Sequence, residues 1–295
     1  MRKRDAIERD KALDKAKILI EAMPWIHRHY GQTIVVKYGG AAMEDEELMH
    51  QVVGDLELLK LMGMRVVLVH GGGKAINKLL GDLQLPVSFK DGLRVTDDAT
   101  MEAVQMVLIG KVNQQLVWQL NGYGNNAVGI SGADGKTFKC RQVDPDLGRV
   151  GEIVEVNTHL IESVLDDGYV PVIASVGSGP DGFYNVNADV AASQVAQALK
   201  ADTLVYLTDV DGFYREYGND DSLIATMTND EAHDLLDSGT LASGMIPKIR
   251  SIVEALDSGV RDVRILNGTF PHSLLLEIFT DAGIGTMFTS QENAQ

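Results

Sequence analysis

The sequence predicts an α/β fold with a mainly parallel sheet, and three features of residues 33–73 predict it. Residues 33–40, Thr-Ile-Val-Val-Lys-Tyr-Gly-Gly, are a β-branched run that ends in Lys37 followed closely by Gly39 and Gly40. A second run, Val66-Val67-Leu68-Val69-His70, leads straight into Gly71-Gly72-Gly73. Between them Leu48, Val52, Leu56, Leu59 and Met62 recur at helical spacing. A strand, a crossover helix and a strand make a β-α-β unit whose strands run parallel. Both glycine turns then fall at one carboxyl edge of the sheet, where open α/β sheets bind ligands. Glycines there let backbone N–H groups approach an anion, and Lys37 adds positive charge. The edge is suited to phosphate.

The remaining elements follow in chain order. Residues 1–30 are charged and helix-prone, with a narrow apolar stripe at Leu13, Ala16, Ile20 and Met23. Pro24 is expected to kink or restart that helix. The stripe needs a partner surface, either on its own domain or on another subunit. Strands are expected at 33–37, 65–70, 127–131 and 169–175. A helix over 98–121 turns Met101, Val104, Val107, Leu108, Val112 and Leu116 inward. Residues 137–157 lack helical period and carry two glycine turns, which predicts a small antiparallel insert. A second α/β portion has a strand at 203–208, helices near 228–238 and 244–258, and a strand at 262–266. A helix at 273–280 and a closing strand at 286–289 complete it. The expected organisation is an N-terminal helix over 1–30, an N-lobe over 31–200 and a C-lobe over 201–295. Topology alone sets the boundary near Lys200, because no Pro- or Ser-rich linker divides the halves.

Composition narrows the function. At 295 residues and 45% hydrophobic, the chain fills one large α/β core or two modest ones. A net charge of −16 argues against general nucleic-acid binding, which needs a basic face, yet leaves room for a locally basic site for small anions. The single cysteine, Cys140, gives no disulfide framework and suits a reducing, cytoplasmic setting. Lys139 and Arg141 beside it would lower a thiol pKa, but alternating exposure on a strand explains them equally. No apolar run approaches the roughly 20 residues that span a bilayer. Met1-Arg-Lys-Arg4 precedes no apolar stretch of a signal peptide.

Two motif matches fail on context. Gly177-Ser-Gly179-Pro-Asp-Gly182 fits a dinucleotide fingerprint, but Pro180 and the following Phe183-Tyr184-Asn185-Val186 do not open a helix, so a reverse turn is expected. Gly135-Lys136-Thr137 looks like the end of a Walker A loop, but position 130, where the first glycine belongs, is Ile.

Four further segments carry chemistry. Gly92-Leu-Arg94-Val-Thr puts an arginine, with its planar bidentate fork, in a short strand. Asn185-Val-Asn187-Ala-Asp189 stands at the threshold of a helix over 188–200, where simple N-capping is also a sufficient explanation. Thr208-Asp209-Val-Asp211-Gly212-Phe213 ends a strand with oxygen-rich side chains. Gly244-Met245-Ile-Pro-Lys248 opens a helix carrying a second lysine.

In this order, with Lys37-Tyr-Gly-Gly and His70-Gly-Gly-Gly, these segments resemble the amino-acid kinase superfamily, and within it the N-acetyl-L-glutamate kinases. The resemblance runs from 33 to 289. It implies a carbamate-kinase-like three-layer αβα sandwich, with the amino-acid substrate on the N-lobe and ATP on the C-lobe. The implied reaction is transfer of the ATP γ-phosphoryl to the side-chain carboxylate of N-acetyl-L-glutamate, a committed step of arginine biosynthesis. Carried over by motif, Lys37 and Lys248 stabilise the transferring phosphoryl and Asp189 orients them. Gly40 and Gly72 give N–H bonds, and Gly72, Gly73, Arg94 and Asn185 hold N-acetyl-L-glutamate. The nucleotide falls to Lys37, Gly39, Gly40, Thr208, Asp209, Asp211, Gly212, Phe213, Met245 and Lys248. Mg²⁺ is expected on ATP oxygens and water, with no protein metal cage. The physics agrees, since phosphoryl transfer asks for positioning and charge stabilisation and not for a covalent nucleophile.

The chain ends resemble the arginine-inhibited hexameric branch of that family. The resemblance implies a trimer of dimers joined by the N-terminal helix, with arginine held near Trp25, His272, Glu277, Gly283 and Gly285. Trp25 stands where a tyrosine is usual, so any hydroxyl hydrogen bond is lost. A nitrogen-signalling protein is a further implied partner that the sequence leaves open. Rival readings are aspartate kinase, glutamate 5-kinase, carbamate kinase and uridylate kinase, or a non-catalytic arginine sensor. Arg94 and the Asn185–Asp189 segment favour acetylglutamate, and retention of Lys37, Lys248 and Asp189 disfavours a sensor.

Overall fold

A computed structural model of the chain describes residues 3–43, 45–124, 126–216, 219–238, 245–280 and 283–290, with backbone only for 3–12, 41 and 220. Helix α1 (Lys3–His29) precedes strand β1 (Thr33–Tyr38), helix α2 (Glu46–Leu61), β2 (Arg65–His70) and α3 (Gly73–Asp82). A hairpin of β3 (Phe89–Lys90) and β4 (Leu93–Arg94) follows. Next comes a long helical stretch: α4 (Asp98–Gln105), a π-helical segment at Met106–Asn113, and α5 (Gln114–Leu120). Then come β5 (Ala127–Ser131), β6 (Phe138–Gln142), β7 (Gly151–Val156), α6 (His159–Asp166), β8 (Val170–Ala174), β9 (Val176–Gly179), β10 (Gly182–Asn185) and α7 (Ala188–Leu199). The last part holds β11 (Thr203–Thr208), β12 (Phe213–Tyr214), β13 (Leu223–Ile224), β14 (Thr226–Thr228), α8 (Asn229–Asp237), α9 (Ile246–Asp257), β15 (Asp262–Asn267), α10 (Ser273–Phe279) and β16 (Thr286–Thr289).

Eight strands form one sheet in the order β14-β16-β15-β11-β1-β2-β8-β5. Every pairing in it is parallel except β15 with β16. Four strands come from residues before Lys200 and four from residues after it, meeting where β1 pairs β11. The antiparallel insert expected at 137–157 is present as β6 and β7. It is extended by the β9–β10 hairpin into a second sheet, and the reverse turn of that hairpin occupies Gly179–Gly182 as expected.

Strand periodicity sorts the core into two layers. Ile34, Val36 and Tyr38 of β1, with Val66 and Leu68 of β2, face α2, α3, the 98–120 helical stretch and α10. Val35, Val67, Val69, Leu204 and Tyr206 face the opposite way, against α6, α7 and α9. Lys37 falls on the second side by the same alternation and His70 on the first. That parity decides which helices each one meets.

Helix starts are fixed by side chains. Asp45 accepts from the N–H groups of Glu47 and Leu48, and Asp97 from that of Thr100. Thr228 and Glu231 form a capping box at α8. The inward set of the 98–120 helical stretch is buried as its spacing predicts, though the π-helical turn was not legible in that spacing.

Of the two outcomes expected at Pro24, a restart is not seen: α1 runs through Pro24 as one helix. Proline removes a single N–H, and the Ile20 carbonyl it would have served lies on an exposed part of the helix, open to water. Leu13, Ile20 and Met23 are 52%, 65% and 50% exposed, so their stripe does not pack on its own chain. Among the described residues no helix is long and apolar enough to cross a membrane.

Candidate active site

The carboxyl ends of β1, β2 and β4 and the start of α7 converge on a cleft of about 270 Å³. Lys37, Gly39, Gly40, Gly72, Gly73, Arg94, Asn185 and Asp189 all line it. Lys37 leaves β1 on the α7 side, and Asn187 caps α7 by accepting from the N–H groups of Asp189 and Val190. The cap leaves the Asp189 side chain in the first turn, facing the strand. Its Oδ1 lies 2.9 Å from Lys37 Nζ and its Oδ2 lies 2.8 Å from Lys248 Nζ. Lys248 comes from the first turn of α9, and its ammonium stands 5.0 Å over the Tyr206 ring. One carboxylate therefore holds two ammonium groups. Burial alone would raise the Asp189 carboxyl, but Lys37 and then Lys248 outweigh it and hold it well below the ordinary carboxylate range.

The opposite wall is backbone. Gly72 caps the N-terminus of α3, where a Cβ would come 2.7 Å from Leu108 Cδ2 and would push that side chain aside. Gly40 turns the chain out of β1 with φ +77°, and the Tyr38 hydroxyl donates to the Ala42 carbonyl at 2.6 Å to hold that turn. The N-terminal end of α3 favours an anion here.

Arg94 closes the cleft from the β3–β4 hairpin, whose Asp91-Gly92 turn has positive φ at both residues. Its Nη2 donates to the Gly73 carbonyl at 3.1 Å, while the buried Nη1 has no partner. Phe89 lies against the guanidinium at 4.8 Å. Asn185 Nδ2 donates to Thr96 Oγ1 at 3.1 Å, and Thr96 Oγ1 donates to the Arg94 carbonyl at 2.8 Å, which ties the two polar residues together.

A profile of the amino acid kinase family matches residues 32–267. The acetylglutamate kinase of Heliobacterium modesticaldum is 48% identical, over 94% of this chain and 98% of its own. The chain belongs to the acetylglutamate kinases of the amino acid kinase family. In fold it is similar to the N-acetylglutamate synthase of Neisseria gonorrhoeae solved with coenzyme A and N-acetyl-glutamate, at a TM-score of 0.82 and 30% identity. That match covers 92% of this chain, which spans 63% of the synthase chain. The Giardia lamblia carbamate kinase bound to AMP-PNP shares the fold at a TM-score of 0.66 and 17% identity, covering 88% of this chain and 99% of its own.

The residues expected on the nucleotide divide. Gly39, Gly40, Lys37 and Lys248 lie at the Asp189 centre, and Thr208 ends β11 beside them. Asp209 is exposed. Asp211 is already occupied, since its Oδ1 accepts from Asn267 Nδ2 and its Oδ2 from the Tyr214 hydroxyl, at 2.8 and 2.7 Å. Gly212 and Phe213 pack on Thr286, whose Oγ1 accepts from the Phe213 N–H at 2.7 Å. Met245 is half-buried at the start of α9, and Gly244 lies outside the described residues.

A second cavity, of about 530 Å³, lies between the end of α1, α10 and the closing strand, with Trp25, Glu277, Gly283 and Gly285 in its wall. Glu277 Oε2 accepts from the N–H groups of Ile284 and Gly285 at 2.8 and 3.2 Å, and Arg264 approaches Oε1 at 3.4 Å. His272 does not line this cavity. Its Nδ1 stands 2.6 Å from Asp55 on α2. Sequence reasoning missed Tyr206 and Phe89, which carry no motif, and gave no role to Thr96, although it ends the Gly92–Thr96 segment; all three are found through their contacts.

Proposed function

We propose that the chain transfers the γ-phosphoryl of ATP to the side-chain carboxylate of N-acetyl-L-glutamate in arginine biosynthesis. The observation that carries the reading is Asp189 holding Lys37 and Lys248 at one cleft with Gly72 and Arg94. A carboxylate oxygen attacks phosphorus, the bond from phosphorus to the β–γ bridging oxygen breaks, and ADP leaves. Two anions must meet, so the protein's task is to neutralise and align them. Lys37 and Lys248 supply charge on the two sides of the transferring group, and Asp189 fixes their ammonium positions. The N–H groups of Gly40 and Gly72 donate to the phosphoryl and the attacking carboxylate.

Arg94 and Asn185 orient N-acetyl-L-glutamate, the arginine offering its unpartnered Nη1 to the α-carboxylate. ATP lies at the C-terminal ends of β1 and β11, along Gly39, Thr208, Asp209 and Met245. Mg²⁺ comes bound to the nucleotide phosphates and adds charge neutralisation there. Residues 31–200 act as the substrate lobe and 201–295 as the nucleotide lobe, joined along β1 and β11.

Arginine, in this reading, enters the cavity beside Trp25 and Glu277 and inhibits by favouring one arrangement of the lobes or subunits. The exposed stripe of α1 supports a homo-oligomer, a hexamer in our reading, and a cytoplasmic enzyme fits its substrates. ADP release measured with N-acetyl-L-glutamate against glutamate, aspartate, carbamate and UMP tests the reaction. Turnover with any of the last four in preference to the first overturns it.

A further inference from the structure

We propose that His70 and Asn113 are positioning residues that aim the Gly72 N–H into the cleft, an inference that rests on the phosphoryl-transfer reading above. His70 ends β2 on the side facing the 98–120 helical stretch and is fully buried. Asn113, at the end of the π-helical segment, is 1% exposed.

Their hydrogen bonds allow one proton arrangement. Asn113 Nδ2 lies 2.8 Å from the Val172 carbonyl and 3.3 Å from that of Ile130, both acceptors only, so this atom is the amide nitrogen. The same nitrogen lies 3.0 Å from His70 Nε2, and its two hydrogens go to the shorter contacts, Val172 and His70, so Nε2 accepts. The imidazole proton is left on Nδ1, which donates to the Gly71 carbonyl at 2.9 Å. Burial favours the same neutral ring by pushing its pKa down to about 4.

The consequence lies in the next peptide plane. In a trans peptide the carbonyl and the following N–H point in opposite directions. His70 pins the Gly71 carbonyl toward the interior, so the Gly72 N–H points the other way, into the cleft that Gly72 lines. Among the described residues that N–H has no backbone acceptor.

The surroundings are shaped for this network. A Cβ on Gly129 of β5 would come 2.1 Å from Asn113 Oδ1, so the bare glycine is what lets the amide reach the strands. Leu108 and Val112, from the same π-helical segment, pack under Gly72 itself. A wide turn inside a helix is a recurrent device at functional sites. Here one segment supports both the turn and the residue that orients it.

The test is steady-state ADP release by the full chain carrying His70→Leu, His70→Asn, His70→Gln or Asn113→Leu, with folding followed by near-UV circular dichroism. Asn at position 70 keeps an amide donor close to the place of Nδ1, Gln moves it out to the place of Nε2, and Leu supplies none. We expect kcat to fall about tenfold or more in His70→Leu and His70→Gln, because a misaimed donor loses part of its transition-state effect. Asn113→Leu should fall less, since it frees the ring without removing it. Both KM values should stay within about threefold, and His70→Asn should recover most of kcat. Equal kcat in the folded Asn and Gln variants, or a loss confined to KM, overturns the proposal even where a Leu variant fails to fold. A parent protein without acetylglutamate-dependent ADP release would sink the functional reading instead.

Discussion

Lys248 reaches Asp189 at 2.8 Å although one opens α9 and the other opens α7, on either side of Tyr206. The carboxylate shares that role with Lys37, and all three side chains are largely buried, at 15%, 24% and 14% exposure. Each lysine is expected to act on the transition state more than on either bound substrate. Lys37→Ala and Lys248→Ala should each lower kcat by ~10²–10³ with smaller changes in KM. Near-normal turnover in either variant would remove that lysine from the mechanism.

Asp189→Asn leaves two ammonium groups facing each other without their counterion. Breaking such a partly buried pair should cost about 1–3 kcal/mol of stability at pH 7, below the value for a fully buried pair because the carboxylate keeps some solvent contact. Its folded pKa is depressed, so the contribution is present above the ordinary carboxylate pKa of about 4 and is lost as pH falls below it. Denaturant melts of parent and variant should therefore converge in strongly acidic buffer. A gap that widens on acidification would contradict the assignment.

Arg94→Lys should chiefly raise KM for N-acetyl-L-glutamate. A point-charge ammonium cannot reproduce a fork that spans the Gly73 carbonyl and a substrate carboxylate, and the stacking on Phe89 is lost as well. An unchanged KM would show that Arg94 only supports the hairpin.

Asp55 titrates in the opposite sense from Asp189. Burial raises its carboxyl to about 6 despite the His272 hydrogen bond. A raised carboxyl contributes stability below its unfolded pKa of about 4 and loses it as pH rises through about 6. Asp55→Asn should therefore gain stability relative to the parent between pH 5 and pH 8 by about 1.4 kcal/mol, because roughly half of the effect of a two-unit shift has already been lost by pH 5. Urea titrations at the two pH values check this, and a pH-independent difference would refute it.

Deleting residues 1–25 removes the exposed stripe of α1 together with Trp25, one wall of the second cavity. The product should be a smaller, still active assembly that has lost arginine sensitivity. Light-scattering mass and activity with and without arginine decide it. A truncated protein that stays hexameric and fully inhibitable would assign oligomerisation and arginine binding to other parts of the chain.

The sequence by itself determined the parallel sheet, the β-α-β unit and the glycine turns, because strand and helix periods are local properties of a chain that buries one face. It also marked Lys37, Arg94, Asp189 and Lys248 through short motifs. Tertiary structure decided the rest. Asp189 was equally readable as a first-turn acidic residue behind a simple cap until the fold brought Lys37 and Lys248 to its two oxygens. His272, grouped by sequence with the arginine cavity, turned instead to Asp55, since its place before α10 faces α2. Asp211 and Phe213, in a nucleotide-like motif, spend their polar groups on Asn267, Tyr214 and Thr286. The π-helical turn and the buried His70–Asn113 pair left no periodic trace, because they depend on contacts between segments far apart in the chain. Local pattern sets which elements form, and only their packing sets which polar group finds which partner.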